Sequence, residues 1–220
     1  MARAVSQHRP TDSHETPRLR VIQGHGGGPP PQTWEPPVSN AQLAILIVIA
    51  FEAMVFVGLI TTYFVLRSSN HLAWPPPDMP RLPLAVSSVN TVMLTLSAFT
   101  MWRARSAIRA ADEAGLRSSL TATTVLGVGF LAVQGSEWSR LIRQGLTLSS
   151  GSYGSIFYTL VGLHALHVVA AVVWLLAILV LARRGHFTAK RHAGVQLCAM
   201  YWYFVCALWL VVFGLVYVYE

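Results

Sequence analysis

Polar positions are scarce along most of this chain, and where they fall divides it into segments. Beyond residue 38 five long apolar runs succeed one another, at about 42–66, 84–102, 119–141, 154–181 and 195–219. Each is near or above the roughly 20 residues a helix needs to cross a hydrocarbon core. The runs are continuous, whereas the strands of a membrane barrel would alternate apolar and polar residues in shorter segments. The pattern predicts five transmembrane helices, and the expected fold class is all-α, a polytopic membrane protein. Only Glu52 and Glu137 interrupt the runs as acids, with Arg140 at the edge of the third.

Residues 1–38 have the opposite character. They hold Arg3, Arg9, Arg18, Arg20, His8, His14, His25, the run Gly26–Gly28 and the run Pro29–Pro31, with few apolar residues. Such a composition cannot bury a core, so a disordered tail is expected. No apolar stretch precedes a cleavage site, so the tail does not read as a signal peptide.

Composition supports the membrane reading. Of 220 residues, 54% are hydrophobic and 11% charged, against about a quarter charged in soluble domains. Mean hydropathy is +0.50. The formal net charge of +7 does not point to nucleic acid, because the basic residues lie between the apolar runs rather than on one face. Their distribution instead predicts orientation. Twelve lie in the tail and in two connections: the four tail arginines, then Arg103, Arg105, Arg109 and Arg117, then Arg183, Arg184, Lys190 and Arg191. Four lie on the opposite side, Arg67, Arg81, Arg140 and Arg143. The positive-inside rule then predicts a cytoplasmic N-terminus and a C-terminus outside. Trp74, Trp138, Tyr217 and Tyr219 at one level and Trp102 at the other fit an interfacial aromatic belt. Trp74-Pro75-Pro76-Pro77 reads as a stiff, extended connector. Cys198 and Cys206, eight positions apart on one helix and so roughly 12 Å apart, are out of disulfide reach.

Few residues offer chemistry. Glu52 lies near the bilayer centre by its position in the first span, where a lone carboxylate must be protonated, hydrogen-bonded or reached by water. It is either a functional acid or a neutral carboxyl holding two helices together. His164 and His167 lie at i and i+3 in the fourth span, on one helix face and at a depth comparable with Glu52. Buried imidazoles satisfied by neighbouring helices are the expected reading, ahead of a metal site, for which further ligands are lacking. Glu137 and Arg140, also i and i+3, read as a helix-end ion pair with the arginine reaching outward. Ser87, Ser88, Asn90, Thr91, Thr95, Ser97 and Thr100 make the second span rich in small polar groups, as suits close packing inside a bundle. No Walker loop, G-x-G-x-x-G or H-E-x-x-H occurs.

Several blocks together resemble one family. Phe51-Glu52-Ala53-Met54-Val55-Phe56-Val57-Gly58-Leu59, followed by Tyr63-Phe64-Val65-Leu66-Arg67, looks like the first helix of the short form of haem-copper oxidase subunit III. So do Trp74-Pro75-Pro76-Pro77, Asn90-Thr91 with Ser97 and Thr100-Met101, and Gln134 with Glu137-Trp138. Tyr153-Gly154-Ser155-Ile156-Phe157-Tyr158, continuing through Gly162, His164, His167 and Val168, is the strongest segment. Tyr201-Trp202, Phe204-Val205 and Trp209 are similar to the closing helix. The resemblance spans about residues 42–219 in order.

It implies a subunit of a bacterial inner-membrane cytochrome c oxidase, which reduces oxygen to water and pumps protons. Such a subunit has no catalytic centre, metal or cofactor of its own. Haem and copper belong to partner subunits I and II, small further subunits can join, and phospholipid is bound. Its role is to sustain stability, proton uptake and turnover of the catalytic subunit. Glu52 matches the family's carbodiimide-reactive intramembrane carboxylate, and His164 and His167 match paired structural histidines. The alternatives are the equivalent subunit of a quinol oxidase or nitric oxide reductase, or a small proton-coupled transporter. Two departures stand out. Tyr203 and Cys206 occupy positions where the family usually has His and Asp. The two leading helices of the seven-helix form are also missing, so either another subunit, such as an extended subunit I, would wall the lipid cleft, or the cleft would be open.

Overall fold

A computed structural model describes residues 39–69, 82–188 and 192–219. The expected disorder of the tail and the extended Trp74–Pro77 connector lie outside these residues. Among the described residues there are five helices long and apolar enough to cross a membrane: α1 Asn40–Ser69, α2 Leu84–Arg109, α3 Glu113–Arg143, α4 Gly151–Arg183 and α5 Ala193–Phe213, the last continued by a π-helical turn, Gly214–Val218. The all-α expectation is met.

The helices run past the apolar blocks because charged and hydroxyl residues continue the backbone pattern beyond the hydrocarbon. α1 starts with a reciprocal cap: Ser39 Oγ accepts from Gln42 N–H, and Gln42 Oε1 accepts from Ser39 N–H. Asp112 caps α3 by accepting from Gly115 N–H at 2.9 Å. The ends of α2, α3 and α4 share one device. A residue in the left-handed region follows the helix, and its neighbour's N–H returns to a carbonyl five residues back: Asp112 to Ala107, Leu146 to Leu141, His186 to Leu181. The left-handed residue is Gly145 after α3 and Gly185 after α4, but Ala111 after α2, at φ 57°. An alanine side chain there costs about 1 kcal/mol or more. Ala111→Gly is therefore expected to raise the protein's thermal midpoint, and an unchanged or lowered midpoint in a melting experiment would contradict this account of the turn.

Short turns at 110–112 and 144–150 make α2, α3 and α4 antiparallel neighbours in succession. α2, α3, α4 and α5 close into a ring, each packing on the next and α5 on α2, while α1 leans from outside on α4 and α5. Leu120, Phe130, Leu160, Val161, Val168, Leu175, Val195, Trp202 and Trp209 fill the interior. Hydroxyls tie α2 to its neighbours: Thr100 and Thr123 share a 2.8 Å hydrogen bond, and the Trp202 and Trp209 indoles donate to Ser97 and Thr91. Ser87, Asn90 and Ser97 are buried, consistent with packing. Thr95 faces outward and bonds its own helix at Thr91 O.

α1 is held differently. Of its 30 residues only Phe56 and Tyr63 are buried. Its far end is pinned through Tyr63, whose hydroxyl donates to Leu215 O, and through Arg67, which donates to Tyr219 O and lies 4.4 Å over the Tyr219 ring. The aromatic belt needs one correction. Tyr217 is buried among Phe157, Trp209 and Phe213 rather than facing the interface. Both cysteines are free and buried.

Candidate functional site

α1 is apolar on every side, so its own periodicity does not reveal which way Glu52 points. Packing does. Ile45, Ile49, Glu52, Phe56, Leu59 and Tyr63 recur at three- and four-residue spacing along the less exposed face, the stripe that meets α4 and α5. Glu52 thus projects toward the bundle, roughly 18 Å along the helix from Asn40 at 1.5 Å per residue. Its Oε1 lies 3.3 Å from the Tyr201 hydroxyl on α5, which donates to it, and 3.6 Å from His167 Nε2 on α4. Phe56, one turn along α1, meets the His167 ring edge-on at 5.3 Å.

One contact orients the imidazole. His167 Nδ1 lies 2.6 Å from the Leu163 carbonyl. A carbonyl only accepts, so Nδ1 carries a hydrogen. Nε2 is thereby left facing the Glu52 carboxyl oxygen at 3.6 Å. Glu52 Oε2 is buried with no hydrogen-bond partner. Beside the pair, Ile47, Val48, Phe51 and Val55 of α1 and Leu163 of α4 line a groove of about 510 Å³, in which Glu52 and His167 are the polar residues.

The other sequence-marked residues are placed apart. Glu52 reaches His167, not His164, although both histidines lie one turn apart. His164 is fully buried inside the ring, 5.0 Å from the Trp209 ring and edge-on to Phe130 at 6.3 Å. Neither of its nitrogens has a hydrogen-bond partner, which corrects the expectation of an imidazole satisfied by neighbouring helices. The 60° offset between positions i and i+3 is enough to send one ring inward and the other toward α1. Asn90 donates to Phe130 O at 3.3 Å and Gln134 Oε1 at 3.4 Å, joining α2 to α3. The expected Glu137–Arg140 pair is not formed. Glu137 is half-buried with Oε2 unpartnered, and Arg140 is exposed. Among the described residues no three His, Cys, Asp or Glu side chains converge as metal ligands would.

Sequence reasoning missed Tyr201 as a partner of Glu52. It lies 149 residues from Glu52, and its only sequence signal is a phenol in an otherwise apolar stretch, a group that needs a partner when buried. The two departures noted in the last helix have separate surroundings. The Cys206 thiol lies 3.8 Å from Leu94 O and 3.9 Å from Ser97 Oγ, inside the ring. The Tyr203 ring lies at the Arg-rich end, 5.9 Å from the Arg105 guanidinium.

Comparison with known proteins meets this geometry. The family model described as cytochrome c oxidase subunit III matches residues 37–220. A cytochrome c oxidase subunit 3 of Synechocystis sp. is 38% identical over 174 residues, covering 79% of this chain and 73% of the relative. That of Thermostichus vulcanus is 33% identical over 177 residues, covering 80% and 86%. A probable cytochrome c oxidase subunit 3 of Nocardia farcinica is 34% identical over 173 residues, covering 78% and 84%. All five helices, the Glu52–His167–Tyr201 cluster and the aromatic interior fall within the matched segment, and the chain belongs to the cytochrome c oxidase subunit III family.

Proposed function

We propose that this chain is the non-redox subunit III of a respiratory cytochrome c oxidase in a bacterial inner membrane, beside haem- and copper-bearing subunits I and II. In this reading it has no catalytic centre of its own. It sustains the stability and proton uptake of the catalytic subunit, and the α1 groove takes an acyl chain of bound phospholipid. The observation that carries the reading is the Glu52–His167 pair: a carboxyl and an imidazole 3.6 Å apart near the middle of a spanning helix, beside an open apolar groove. A pair of this kind can take up or release a proton with little rearrangement.

The test is purification of the chain from native membranes in mild detergent, with mass spectrometry of its partners and a reduced-minus-oxidised spectrum. Haem and copper subunits in equal amount are expected. A colourless chain that purifies alone from well-preserved membranes would overturn the proposal. Within the assembled complex, Glu52→Gln is expected to leave assembly intact, because the amide still accepts from Tyr201 and can donate to His167 Nε2. It should abolish carbodiimide labelling of α1 and shorten the enzyme's life under continuous turnover. Loss of the assembled complex would instead make Glu52 a packing residue.

A further inference from the structure

The last helix changes its winding where it meets the end of α1. Continued as an α-helix, it would send the Tyr219 N–H to the Leu215 carbonyl, four residues back. In the π-helical turn Gly214–Val218 that N–H goes to Gly214 O instead, at 2.9 Å. Leu215 O accepts from the Tyr63 hydroxyl of α1 at 3.2 Å. Arg67, one turn further along α1, donates to the Tyr219 carbonyl and, at 3.4 Å, to the Tyr63 oxygen. Its guanidinium lies 4.4 Å over the Tyr219 ring, which Phe64 meets edge-on at 6.4 Å. Two backbone carbonyls of the C-terminal segment thus accept from α1.

A helix that is apolar all round has no preferred roll about its axis in hydrocarbon, because lipid tails replace side-chain neighbours at little cost. α1 is of this kind. Only Phe56 and Tyr63 of its 30 residues are buried, and Ile47, Phe51, Met54 and Val57 are exposed. Its roll is therefore set by its few directed contacts. Those of Glu52 are long, 3.3 Å to the Tyr201 hydroxyl and 3.6 Å to His167 Nε2, against about 2.7 Å for a strong O–H···O bond. The Arg67 bond is charge-assisted and stronger. Tyr63 stands eleven positions beyond Glu52, three turns on and so within about 20° of the same line along the helix. Fixing Tyr63 fixes the direction in which Glu52 points, although Arg67 lies roughly 22 Å from it along the axis.

We propose that Tyr63 and Arg67, clasped by the C-terminal π-turn, are positioning residues for Glu52. They set the roll of α1 and so keep the carboxyl on Tyr201 and His167 rather than in the lipid. The role assigned to the clasp rests on the reading of Glu52 as the chain's working carboxyl; the fixed roll itself does not.

The test uses the full-length protein purified with whatever partners accompany it, as wild type, Arg67→Gln, Arg67→Lys and Tyr63→Phe. Thr62→Val, whose hydroxyl bonds its own helix at Gly58 O, is the control. Two quantities are read. One is the rate at which a lipid-soluble carbodiimide labels Glu52. The other is the spread of distances between spin labels on Leu43→Cys of α1 and Leu181→Cys of α4, both exposed in a chain whose own cysteines are buried. Arg67→Gln and Tyr63→Phe should broaden the distances. They should also speed labelling, up to the roughly fivefold that separates a side chain 18% exposed from one turned fully to lipid. Arg67→Lys keeps a cation over the Tyr219 ring and a donor to its carbonyl, so labelling should return to within about twofold of wild type. Unchanged labelling in both Arg67→Gln and Tyr63→Phe overturns the positioning role, and so does an equal gain in Thr62→Val. If Arg67→Gln does not assemble, Tyr219→Ala, at an exposed position, carries the test, with about half the gain expected from loss of the ring beneath the guanidinium. Glu52→Gln tests the working-carboxyl reading separately: an unshortened life under turnover would overturn that reading and leave the labelling and distance results standing.

Discussion

Replacing Trp209 with alanine is expected to destabilise the protein by about 3–5 kcal/mol, the range for removing a large aromatic from a packed interior. Trp209 is fully buried and is where four helices meet. Its ring lies 5.0 Å from Phe130 of α3 and 5.0 Å from His164 of α4, and packs on Phe213 and Tyr217 of its own C-terminal segment. Its indole N–H donates to Thr91 of α2 at 2.9 Å. Inside a bilayer, helix association rests on close packing and interhelical hydrogen bonds, because lipid tails are as apolar as the side chains they replace. Alanine removes both contributions and leaves His164 beside a void. Trp209→Phe keeps most of the ring contacts and loses mainly the bond to Thr91, so about 0.5–1.5 kcal/mol is expected. Denaturant unfolding of the purified protein checks the series. An alanine variant within about 1 kcal/mol of wild type would mean that the interior closes around the gap, contrary to the known behaviour of packed cores.

The second large effect comes from adding one carbon rather than removing many. A Cβ on Gly127 of α3 would stand 2.6 Å from Cη2 of Trp202 and 3.2 Å from Cγ2 of Val172. The Trp202 ring cannot easily retreat, because its indole is tied to Ser97 Oγ at 3.1 Å and its surface is fully buried. Gly127→Ala is expected to cost about 1–3 kcal/mol through overpacking. Trp202→Phe shortens the ring at the point of conflict. The double variant should therefore be more stable than the sum of the two single changes allows, with a coupling of about 0.5 kcal/mol or more. Strict additivity would show that the Gly127–Trp202 approach does not limit how closely α3 and α5 pack.

The groove beside Glu52 and the clamp at the far end of α1 share a cause. α1 is the least buried of the helices, so its position depends on a few polar attachments rather than on a broad packed face. Glu52 binds it to α4 and α5 at mid-depth, and Tyr63 and Arg67 bind it to the C-terminal turn. Around Glu52, from Ile47 to Val55, the helix stands off from α4 enough to leave the apolar groove. The weak hold of α1 and the openness of the site are thus one feature of the packing.

The amino-acid order alone determined the number and type of the elements, because a run of some twenty apolar residues has one stable form in a bilayer. It also marked Glu52 as exceptional, since any carboxylate at that depth needs a partner whatever the fold. The partner was another matter. His164 and His167 look alike in sequence, and only the angular placement of α4 between α1 and the bundle interior sends His167 to Glu52 and buries His164 among rings. Tyr201 lies too far along the chain for any local pattern to pair it with Glu52. The Glu137–Arg140 spacing suited an ion pair that the structure does not form, because sharing a helix face leaves a long side chain free to turn to solvent. Helix existence follows from local hydrophobicity, which sequence carries directly. Which side chains meet follows from helix rotation and tilt, and these are set by the summed packing of residues such as Gly127, Trp202 and Trp209, so only the tertiary structure decided the site.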